Sequence, residues 1–204
     1  MKYALITNGA ITGFVTTDVA FNHLGKQYSA RFLRTSTKAE KIAAGVMEVV
    51  EGAQADQRFY WVSQPSYRVN EVDGVVEASY TATAKLLEDR EESDEEGNPL
   101  YVQEYDPTAN NGEGAMVNTT ERLVTKGLKS QWIAQVKATA GSLLSGTDWM
   151  VIRKAERDVA IPAETQTYRA AVVTEADRLE TAIAAAADVD ALAAVVAAQN
   201  WPKA

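Results

Sequence analysis

The sequence predicts an α+β fold: a small N-terminal antiparallel β domain with one short helix, followed by a C-terminal helical hairpin or small bundle. Three observations predict it. Asn8-Gly9 and Asp73-Gly74 each separate two apolar or alternating runs in the first half, and Asn-Gly or Asp-Gly in that setting marks a two-residue hairpin turn. Beyond residue 118 the apolar residues recur every three or four positions instead of every two. Between these regimes lie two polar stretches, 88–98 and 106–118. The 204 residues suit one or two domains at roughly 100–200 residues each. The expected division is a β-rich domain over 1–105 with an acidic loop at 88–98, a linker over 106–118, and a helical domain over 119–204.

The elements follow in order. Lys2 to Thr7 is a short apolar run, and Ala10 to Val15 returns from the Asn8-Gly9 turn. Thr37 stands three residues before Glu40, the spacing of a capping box, and Gly45 can close that short helix in the left-handed region. Phe59 to Val62 is a β-rich run stopped by Pro65. Tyr67 to Val72 alternates with period two up to Asp73-Gly74, and Val76, Ala78, Tyr80, Ala82 and Ala84 then share one face. Residues 88–98 concentrate like charges that repel and do not pack, so an exposed loop at the tip of an arm, or a linker, is expected.

In the second half Asn118 is expected to cap a helix with Glu121 at its third position. Val124, Leu128, Trp132, Val136, Ala140 and Leu143 mark one face of that helix, about 24 residues or roughly 36 Å long. Gly127 and Gly141 weaken it, Gly146 ends it, and Thr147 caps a new short helix through Arg157. Pro162 fits the first turn of a third helix carrying Tyr168, Val172, Ala176, Leu179 and Ile183 on one face. Asp188 caps a last helix to about Gln199. Short connections imply antiparallel neighbours.

Composition narrows the chemistry. There is no cysteine, so disulfides, thiolate metal sites and cysteine nucleophiles are excluded. A single histidine, His23, excludes zinc sites built on two or three imidazoles of one chain. A net charge of −8 argues against phosphate-backbone binding, so no nucleic-acid partner is expected. The first apolar run, about four residues, is shorter than the roughly 7–15 of a signal sequence, and no run approaches the roughly 18 of a membrane span. No P-loop or dinucleotide glycine pattern occurs, and no Gly-x-Ser-x-Gly frames a serine for His23, which is expected at the surface or in a loop. The acids of 88–96 are expected to stay solvated and ionised, unlike the raised-pKa acid of a glycosidase. No catalytic residue, metal or cofactor is expected.

The remaining signal is aromatic. Trp132 lies on the apolar helix face and is expected in the core. Trp149 and Arg153 stand four apart, and Tyr168 and Arg169 begin the next helix and could lie beside them. Tryptophan and arginine are the residue types that anchor interfaces, so Trp149, Arg153, Tyr168 and Arg169 are the candidate partner-binding residues. The alternative role for Trp149 is to pack the two helices together.

The run Leu143-Leu144-Ser145-Gly146-Thr147-Asp148-Trp149, followed by Arg153, Tyr168-Arg169 and Trp201-Pro202, resembles the C-terminal region of tail-fibre assembly proteins of tailed bacteriophages. The resemblance covers about residues 120–202. Phe32-Leu33, Thr37 to Glu40 and Gly45-Val46 also fall in the order of a small β domain of related phage proteins. The chain departs from the pattern at Val159-Ala160-Ile161-Pro162 and in its alanine-rich tail. The resemblance implies a non-enzymatic chaperone that binds a phage tail-fibre protein and promotes its folding or attachment, in the host cytoplasm during assembly. Apart from the resemblance, the alanine-rich tail 182–198 has a shallow apolar face anchored by Leu192, Val195 and Val196 that needs a partner in the same chain or in another copy, so self-association is a further contact. A structural component of the virion tail, retained in the particle, is the alternative; a glycan-acting enzyme is the second. The client contact is left open between strand edges of the β domain and the Trp149/Arg153 junction.

Overall fold

The computed structural model describes residues 1–203. The protein is α+β, with its main sheet in the first part and its long helices in the last. The chain divides after Thr83 into two compact units.

The first unit is built on five strands: β1 (Lys2–Thr7), β2 (Ala10–Thr16), β5 (Val46–Glu51), β7 (Ser66–Asn70) and β8 (Val75–Ser79), in the order β2-β1-β5-β8-β7. Between β2 and β5 come the hairpin β3 (Phe21–His23) and β4 (Lys26–Tyr28), the single turn α1 (Phe32–Thr35) and α2 (Lys38–Ala43). β6 (Tyr60–Val62) precedes β7, and β9 (Ala82–Ala84) follows β8. The Asn8-Gly9 pair joins β1 to β2 as a two-residue turn with both residues at positive φ, whereas β7 and β8 are joined not by a two-residue turn but by the four-residue loop Glu71–Gly74, in which Gly74 alone has positive φ. Neighbouring strands of the main sheet are antiparallel except β5 and β8, which run parallel.

Alternation along β1 sends its side chains to two cores. Ala4 and Ile6 join Met47, Val49, Val76 and Ala78 on one face. Tyr3 joins Phe21, Leu33 and Val46 on the other, where the rings of Phe21 and Tyr28 stack at 5.0 Å. On the first face the alanines leave room for the sheet to curl. Phe14 of one edge strand meets Tyr67 of the other with ring centroids 4.5 Å apart, and Lys2 Nζ lies over both rings.

Thr37 and Glu40 form the expected capping box on α2. Gly45 follows with φ +71°, and a Cβ there would stand 2.8 Å from Ile6 O and from His23 Nε2, so glycine is required. His23 is not a surface residue. It is buried at the end of β3 and its Nε2 donates to Ile6 O at 3.0 Å, a long-range contact that no local pattern signals.

The second unit differs from expectation at its start. Residues 106–118 are not a linker, and no helix begins near 119. β11 (Tyr101–Asp106) turns through α3 (Ala109–Gly112), a single turn in which Asn110 and Asn111 adopt the left-handed region, and returns as β12 (Ala115–Arg122). Asn118 and Glu121 therefore lie in a strand; pairing with β11 overrides their helix-cap spacing. The acidic stretch 88–98 is not a free loop along its whole length either. Its β10 (Arg90–Glu91) pairs with β13 (Val124–Thr125), and Asp94 closes a turn by accepting from the backbone of Asn98 at 2.7 Å.

Three helices follow: α4 (Leu128–Arg157), α5 (Ala163–Ala185) and α6 (Val189–Ala197). The start of α4 is fixed by the acidic segment. Gly127 N donates to Asp89 Oδ1 at 2.9 Å, Leu128 N to Leu86 O at 2.8 Å and Lys129 N to Leu87 O at 3.0 Å. Amides that lack intrahelical partners are thus satisfied. Gly127 approaches Glu88 so closely that a Cβ would lie 2.3 Å from its carbonyl oxygen. α5 packs against both α4 and α6, burying Val136 and Ala140 of α4, Val172, Leu179 and Ile183 of α5, and Leu192 and Val196 of α6. Asp188 caps α6 by accepting from Ala191 N at 2.7 Å. Among the described residues, no helix is long and apolar enough to cross a membrane.

Candidate partner-binding site

The four candidate residues sit on the α4–α5 hairpin. Their setting depends on α4 being continuous. Gly146 does not end the helix and Thr147 does not cap a new one: the helix runs unbroken through both to Arg157. A helical glycine costs roughly 1 kcal/mol, which packing along a long hairpin outweighs. The Thr147 hydroxyl instead donates back to Leu144 O at 2.9 Å. The turn to α5 comes at Asp158, whose φ of 52° terminates α4, and Pro162 precedes the first residue of α5.

Arg169 of α5 reaches across to α4. Its Nη1 donates to Leu144 O at 3.0 Å and to Thr147 Oγ1 at 2.6 Å, and it pairs with Asp148 Oδ1 at 2.8 Å. Tyr168 OH donates to Leu143 O at 3.4 Å. Both residues therefore bind helix to helix within the chain. The junction Leu143 to Asp148 is the strip of α4 that they grip, with Leu144 O accepting one bond from its own helix and one from its neighbour.

Trp149 and Arg153 are placed differently. One turn apart on α4, they share a face, and the Arg153 guanidinium carbon lies 4.7 Å from the Trp149 ring centroid. Trp149 is 52% exposed, and Ile152 beside it is 57% exposed. Arg153 Nε is buried without a hydrogen-bond partner. The pair presents a flat aromatic surface, one face covered by a cation, on a helix held rigid by the Arg169 contacts. Beside the Arg169 contacts, Thr147, Glu164, Thr165, Tyr168 and Lys203 line an open cavity of about 350 Å³.

The other tryptophans separate by environment. Trp132 is half-buried on α4, and Trp61 is largely exposed on β6. Trp201 Nε1 donates to Gln199 Oε1 at 2.9 Å.

Two acidic residues outside the candidate set are held by built contacts: Glu175, which no sequence pattern singles out, and Asp89 of the acidic stretch 88–98. Glu175, buried in α5, receives a bidentate contact from Arg178 at 2.7 Å and accepts from Asn200 N at 2.7 Å. The Arg178 guanidinium, with the Asn200 amide, holds its carboxyl below the usual glutamate range. Asp89 is lowered to about 2 by side-chain hydrogen bonds from Lys126 and Ser130 and by the Gly127 amide. Among the described residues, no group of three or more histidine, aspartate or glutamate side chains gathers in a geometry that could hold a metal ion. No family model matches the chain, and neither a curated protein nor a solved structure matches it.

Proposed function

We propose that the protein is a non-enzymatic assembly chaperone for a phage tail-fibre protein, working in the host cytoplasm and contacting its client through Trp149 and Arg153. The observation that carries the reading is the half-exposed Trp149 ring under the Arg153 guanidinium. It lies at the end of the Leu143 to Trp149 run that resembles the phage family. Tyr168 and Arg169 act as positioning residues that hold the presenting helix.

The physical role follows from the client. A fibre tip made of strands exposes edges and apolar surface before it trimerises, and both are aggregation hazards. A protein that binds this surface lowers the free concentration of the hazardous state by mass action. A rigid aromatic with an arginine beside it suits that contact, because little side-chain entropy is lost on binding.

Co-expression with the adjacent fibre protein tests the reading. Trp149→Ala is expected to leave the isolated protein folded, at a cost of about 1–2 kcal/mol for the lost half-burial and the Arg153 stacking, well short of the roughly 3–5 kcal/mol of a core tryptophan. It should weaken client binding by about 2 kcal/mol or more, the loss expected of an interface anchor. Fibre solubility that is the same with and without this chain would overturn the chaperone role. Recovery of the chain at fixed stoichiometry in purified particles would make it a structural part of the virion tail instead.

A further inference from the structure

The β11–β12 ribbon has an edge built for one kind of strand. We propose that the outer edge of β11 is a strand-addition site for an extended basic segment of a partner protein, with lysine or arginine at alternate positions and apolar residues between them.

Register divides the ribbon into two unlike faces. Gln103 pairs with Asn118 and Tyr105 with Met116, so these four share one face. Glu104 pairs with Val117 and Asp106 with Ala115 on the other. Tyr105 is 63% exposed and Met116 56% exposed, so the first face presents apolar surface to water. On the opposite face Glu104 is exposed, and two residues on the half-buried Asp106 closes the turn, its Oδ1 accepting from Thr108 N at 2.8 Å and from Thr108 Oγ1 at 2.7 Å. Among the described residues neither β11 nor β12 has a second strand beside it. A lone two-stranded ribbon is marginal in water, and an open edge is a template for another strand.

The edges of β11 and β12 are not equivalent. On β12, the three residues Thr119–Glu121 stand against Val102 alone, and the Glu121 amide is taken by Thr119 Oγ1 at 3.1 Å. Such a bulge interrupts an edge. β11 is continuous from Gln103 to Asp106. A strand laid beside it would set its outward residues on one face against Glu104 and Asp106 and on the other against Tyr105.

Charge selects the occupant. Residues 88–122 hold eleven acidic side chains against Arg90 and Arg122, a net −9, whereas the whole chain carries −8. All of the molecule's excess negative charge is therefore on this segment. A second copy would bring another acidic ribbon to the edge and be repelled, most strongly at low salt. A basic strand is attracted, and its backbone supplies the missing ladder bonds. The site lies on an element separate from the Trp149 face and does not depend on that residue's role.

Amide NMR titration of the full chain with a capped six-residue peptide alternating Lys and Val tests the proposal against its Glu-Val counterpart. The expected result is shifts at residues 103–106, at least tenfold tighter binding of the Lys-Val peptide at low ionic strength, and weakening as salt is added. Glu104→Lys should reduce the preference severalfold and Glu104→Gln by less, with circular dichroism unchanged in both. Trp149→Ala should leave peptide binding as it is. Equal binding of the two peptides, shifts confined to other strands, or an unaltered preference in Glu104→Lys would overturn the proposal. So would concentration-dependent pairing of the chain with itself through the same residues at low salt.

Discussion

The five-stranded sheet of the first unit and the ribbon of the second are made of strands of similar length, the ribbon's being more charged, and one has two cores and the other none. Val46 and Val76, in the central strands of the sheet, are fully buried, while Met116 and Tyr105 of the ribbon stand in water. The sheet also curls until Phe14 and Tyr67 of its edge strands touch, drawing the edges toward each other. The ribbon leaves both edges open and covers them with charge instead. Strand-forming sequence alone does not dictate burial; what decides it is whether something covers the face. In the first unit α1 and the β3–β4 hairpin cover the Val46 face, and the sheet's own curl covers the Val76 face with Ile11, Tyr67 and Val69.

The largest test of this contrast is Leu33→Ala. Leu33 is 1% exposed under the sheet, and its truncation should cost about 2–5 kcal/mol by lost burial and the cavity left behind. Denaturant melts of the variant measure this, and a cost below about 1 kcal/mol would mean that the lower core is not a core.

An acid titration addresses the base of the ribbon. Asp89 titrates at about 2 in the folded protein, whereas an unfolded aspartate titrates near 3.9, so across that window the native state binds fewer protons than the unfolded one. Its contribution is present in full above about pH 4 and is lost as the pH falls through about 2. Asp89→Asn should flatten the stability profile in that window while leaving its slope near neutral pH unaltered. Stability measured from pH 6 to pH 2 on both proteins reads the difference directly.

The smallest effect is expected at the ribbon itself. Met116→Ala should change stability by no more than about 1 kcal/mol, because more than half of the side chain is already in water. A loss comparable with that at Leu33 would break the comparison by revealing a hidden core on the ribbon.

The same contrast explains which parts of the structure could be read from sequence. Asn8-Gly9 and the Thr37/Glu40 box are local devices, complete within a few residues, and each forms as its chemistry dictates, while Asp73-Gly74 marks the right hairpin but closes it as a four-residue loop. The ribbon was hidden because Asn118 and Glu121 fit a helix cap as well as they fit a strand, and their partners lie on β11. Gly146 looks like a helix stop, yet the long packing of α4 on α5 carries the helix through. At the candidate site, the spacing of Trp149 and Arg153 foretold a shared helical face. The division of labour did not show, since the oxygens that hold Arg169 belong to a strip of α4 more than twenty residues away. His23 went unread for the same reason: its acceptor is the carbonyl of Ile6, on another strand.

The anchoring of α4 on residues 86–89 has a consequence for hydrogen exchange. First-turn amides of a helix normally exchange freely because nothing within the helix accepts from them. Here the amides of Gly127, Leu128 and Lys129 each have an acceptor on the segment leading into β10. Their protons can leave only when that segment lifts away, so their exchange rates report the opening of the ribbon base and the helix start as a single cooperative unit. The three amides make the seam between strand and helix a built-in clock for local unfolding, independent of anything that happens in the helix interior.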